Sequence, residues 1–105
     1  MDISLEEVRL YCRIDGDTED SLLLSLIGAA KDYLAVAGVS DPDTDSDRYA
    51  LAVKALVLHY YDYRGLTEFP APSAIPGIRN LINQLKFQAE GERVIARELQ
   101  TESGI

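Results

Sequence analysis

Between Tyr49 and Tyr61 the chain reads YALAVKALVLHYY, and only Lys54 and His59 interrupt its apolar run. Wound into a helix, those residues are apolar around nearly the whole circumference, so the helix needs neighbours on several sides. The run is too short to cross a bilayer, which takes roughly eighteen or more apolar residues. It is therefore a central core helix, a helix whose outer face another subunit covers, or both at once. In a chain of 105 residues both are expected, because one small domain has little core to spare.

The flanking segments supply the neighbours. SLEEVRLYC places Ser4 and Glu7 in capping-box spacing and predicts a short helix over residues 4–12. IDGDTED breaks it at Gly16 and offers Asp17 or Thr18 as the next N-cap, with Glu19 and Asp20 favourably placed at the positive end of a helix dipole. From there Leu22, Leu23, Leu26, Ile27, Ala30, Tyr33, Leu34 and Ala37 recur at spacings of three and four, one amphipathic stripe, and Gly38 stands where a left-handed C-terminal cap belongs. Pro70, Pro72 and Pro76 forbid a continuous helix after the apolar block and predict an exposed connection. Ile78, Leu81, Ile82 and Leu85 then repeat the pattern of a core-facing helix. Beyond Lys86 the pattern decays. The expected fold is all-α, a small bundle of about four helices with a proline-rich loop before the last one. Residues 1–88 form the domain, and 89–105 a flexible C-terminal tail that is disordered or ordered by a partner.

Asp41, Asp43, Asp45 and Asp47 alternate in SDPDTDSD, the opening of a calcium loop. Counted from Asp41, however, the sixth position is Ser46 where a calcium loop has glycine, and the twelfth is Ala52 where it has a bidentate glutamate. Acids and a serine directly before an apolar helix are also what a helix N-terminus uses, and that reading is preferred. No metal site is assigned.

Other chemistry is sparse. His59 is the only histidine and Cys12 the only cysteine, so multi-histidine and cysteine metal clusters and internal disulfides are excluded. No nucleophile elbow, oxyanion glycines or phosphate-binding loop accompanies either residue, and a hydrogen-bonded histidine in or beside the core and a buried, inert thiol are expected. Ten Lys and Arg against eighteen Asp and Glu give a formal charge of −8, a field that repels DNA and anionic membrane. Tyr60, Tyr61 and Tyr63 are interleaved with Asp62 rather than set in a basic groove, which favours core packing and an interface belt over base stacking. Arg79, Lys86, Arg93 and Arg97 form either a patch for an acidic partner or dispersed solvated charges. MDISLEEVRL lacks the basic and apolar regions of a signal peptide.

At LAVKALVLHYYDYRG, taken with SLEEVRLYCRIDGDTEDSLLLSLIGAAKDYL, the chain resembles the head-tail connector (adaptor) family of tailed bacteriophages. The likeness lies in the first helix at Leu5 to Cys12, the acidic turn at Asp15 to Asp20 and the second helix at Leu22 to Leu34. It continues through the apolar third helix ending in aromatic, acid and arginine at Leu56 to Arg64, and the later segment from Ile75 to Leu85. The tail from Gln88 has no counterpart. The resemblance implies a small helical subunit without enzymatic activity or cofactor, located at the head-tail junction of the virion and made in the host cytoplasm. It implies a ring of about a dozen copies that joins the portal protein to a stopper or tail-completion protein while DNA passes through, with no sequence-specific contact and no membrane. The residues expected at the subunit or partner interface are Tyr60, Tyr61, Tyr63, Arg64, Phe69, Arg93 and Arg97. The alternative is a generic helical protein-protein interaction module, a small phage or bacterial regulator that forms no ring.

Overall fold

The computed structural model describes residues 1–43, 45–63 and 71–88. Four α-helices and one short 3₁₀ turn make up the architecture, and no strand is present among the described residues. Helix α1 is Leu5–Cys12, α2 is Asp20–Val36, α3 is Asp47–Asp62 and α4 is 78–88. The 3₁₀ turn, Pro72–Ala74, lies on the proline-rich connection between α3 and α4.

Each helix boundary has a local cause. Ser4 caps α1, its Oγ accepting the Glu7 N–H at 3.4 Å. The helix stops at Cys12 as expected, but the residue that turns the chain is Arg13 and not Gly16. Arg13 sits in the left-handed region at φ 58°, its N–H donating to the Leu10 carbonyl at 3.3 Å while the Ile14 N–H donates to the Arg9 carbonyl at 2.9 Å. Neither Asp17 nor Thr18 caps α2; Glu19 holds that position without a side-chain bond. The Asp20 carboxylate, which opens the helix, is held by Arg9 of α1 through two contacts from Nη1 at 2.7 and 2.8 Å. That fork ties α1 to the start of α2 where a side-chain cap alone would act only locally.

At the other end of α2 the glycine cap is as expected. Gly38 has φ 98°, its N–H donates to Ala35 at 3.0 Å and the Val39 N–H reaches back to Leu34 at 2.7 Å, a Schellman closure that delivers Val39 into the core. Helix α3 begins two residues before Tyr49, with Ser46 as its cap: Oγ accepts the Tyr49 N–H at 3.2 Å, and Asp47 occupies the first turn. Ahead of α4, Ile75-Pro76-Gly77-Ile78 makes a type II turn, with Gly77 at φ 79° and the Ile78 N–H on the Ile75 carbonyl at 3.2 Å.

The core is apolar throughout. Val8 from α1, Leu23, Ile27, Ala30 and Leu34 from α2, and Ile78, Ile82 and Leu85 from α4 surround Tyr49, Ala52, Val53, Leu56 and Val57 of α3. The third helix is the centre of the bundle, as its composition requires.

Candidate functional site: an open face on the third helix

Helix α3 is not enclosed all round. Tyr49, Val53, Leu56 and Val57 turn inward and are fully buried, while Leu51 is 45% exposed and Ala55 and Leu58 are half-buried. Spacings of four and three put Leu51, Ala55 and Leu58 on one stripe, so α3 carries a second apolar face opposite its core face. Two adjoining depressions lie along that stripe. One, of about 390 Å³, is bounded by Leu58, His59, Asp62, Tyr63 and Ala74. The other, of about 380 Å³, is bounded by Leu51, Ile78, Asn80, Leu81 and Gln84. Tyr11, Ala55, Ile75 and Pro76 line both. The walls are thus the end of α1, the second face of α3, the type II turn and the first turns of α4.

The rim is polar and weakly charged. Lys54 lies over the Tyr11 ring at 5.9 Å from its centroid, a cation–π contact that steadies the α1 wall. His59 meets the Tyr63 ring at 5.1 Å and the Tyr60 ring edge-on at 6.0 Å, forming an aromatic cluster at the end of α3. Of the expected interface residues, Tyr60 and Tyr61 pack partly against the core and Tyr63 lines the first depression. Burial, then Tyr33, push the Tyr60 hydroxyl upward from its ordinary range. Arg64, Phe69, Arg93 and Arg97 lie outside the described residues. The depressions also gather Tyr11, Leu51, Ala55, Leu58, Ile75 and Pro76, which are not among the expected interface residues. The repeat from Leu51 through Ala55 to Leu58 was the available signal; nothing in the sequence said that Tyr11 and Ile75 would face it.

The remaining candidate chemistry has structural uses. Cys12 is half-buried, and burial followed by Asp62 raises its thiol pKa, away from the thiolate range that makes cysteines reactive. The aspartate ladder does what a helix N-terminus and an ion pair need. Ser46 caps α3, and the Asp41 carboxylate takes the Met1 ammonium at 2.6 Å and Lys31 Nζ at 3.1 Å. Burial acts to raise the Asp41 pKa, but the two hydrogen bonds together with the positive charges of Lys31 and the Met1 ammonium outweigh it and hold the carboxyl below its ordinary value. Among the described residues no three or more metal-ligating side chains gather. No helix there is long and apolar enough to cross a membrane.

Among the described residues, the helical bundle thus carries an open apolar flank along α3. A sequence model of the family described as Phage gp6-like head-tail connector protein matches residues 2–86. The chain belongs to this family of phage head-tail connectors. No curated protein and no solved structure matches it. The family is a structural one, and it places this connector at the head-tail junction of a virion, in contact with other head or tail proteins. The matched span takes in α1, α2, α3 and nearly all of α4, so every residue lining the two depressions of the connector falls within it.

Proposed function

We propose that the connector assembles as a closed ring of about a dozen copies in head-to-tail contact, with the second face of α3 as part of the contact between neighbours. The observation that carries this reading is Leu51, 45% exposed on a stripe with half-buried Ala55 and Leu58 beside an open apolar depression. A subunit that leaves such a stripe on its central helix gains by laying it against another protein. Tyr63 at the depression, Tyr60 and Tyr61 behind it, and Arg64 and Phe69 next along the chain supply the aromatic and arginine anchors of that contact.

The ring joins the portal protein to a stopper or tail-completion protein and catalyses no reaction. Residues 1–88 are its body. Residues 89–105, with Arg93 and Arg97, are a tail that takes its order from the partner. DNA passes through without being gripped: each phosphate neutralised by a Lys or Arg adds affinity and slows sliding, and a chain of charge −8 offers few such contacts.

Light scattering over a concentration range, with and without portal protein, tests the reading. A rise toward ring mass alone, or co-assembly on the portal, supports it. A connector that stays monomeric with portal present overturns it in favour of a simple interaction module.

A further inference from the structure

We draw no further inference here: the strongest candidate, the open apolar depression between α1, the second face of α3 and the Ile75–Ile78 turn, belongs to the docking face already proposed, and nothing in the structure shows what covers it.

Discussion

Arg13 is the one non-glycine residue with positive φ among those described. An L-residue in the left-handed region bears roughly 1–2 kcal/mol of steric cost that glycine escapes, partly offset by the greater freedom glycine has when unfolded. Arg13→Gly is therefore expected to stabilise the connector by about 0.5–1 kcal/mol, read as a higher urea midpoint; an unchanged or lower midpoint defeats the explanation. Tyr49 has a different tension. Its ring is 1% exposed in the core, while its hydroxyl has no hydrogen-bond partner among the described residues. Burial first, and then Asp41, push the phenol up to about 12 from an ordinary 10. The folded state thus holds this proton more tightly than the unfolded chain does. The stability tied to it is complete below pH 10 and drains away as pH rises toward 12, by about 1.4 kcal/mol per pH unit. Tyr49→Phe should keep or slightly raise stability at pH 7, since an orphan hydroxyl is removed, and should flatten the alkaline decline measured by denaturant titration. If the variant declines as steeply as the wild type, Tyr49 is not the group responsible.

At the scale of the element, α3 invites the same substitution on its two faces. Leu56 is fully buried among α1, α2 and α4 side chains, and Leu56→Asp places an unpaired charge there. The expected loss is about 4 kcal/mol or more, enough to unfold most of a domain whose total stability is of order 5–15 kcal/mol. Leu51→Asp, on the open face, should change stability by no more than about 1 kcal/mol while abolishing ring formation or portal co-assembly. Circular dichroism melts and light scattering on both proteins separate the outcomes. A folded Leu51→Asp protein that assembles like the wild type removes this face from the contact. The helix itself was legible in the sequence because a near-continuous apolar run permits little else. Which side it leaves open was not, because periodicity marks a face as apolar without saying whether a neighbour covers it. The helix ends were partly legible: Ser4 and Gly38 act through bonds to near sequence neighbours, whereas the start of α2 depends on Arg9 reaching Asp20 from another helix.

At the scale of the whole molecule, the folded body and the tail make separable predictions. Truncation after Ala89 should leave the melting temperature within a few degrees of the full chain, because it keeps every core residue among those described, the last being Leu85, yet weaken docking to the portal. A truncated connector that co-assembles normally shows the tail to be idle in that step. The all-α class, the number of helices, the capping serine and glycine and the apolar character of the third helix were determined by the sequence alone. All of these follow from interactions spanning a few residues, which spacing and side-chain chemistry encode directly. Tertiary structure alone decided that Tyr11, Ile75 and Pro76 line both depressions, one of them with Leu58 and the other with Leu51. It also decided that Asp41 pairs with Lys31 and Met1, and that Arg9 braces the second helix. Those pairings join residues far apart in the chain, and only the packing of the helices against one another fixes which of many possible partners come within reach.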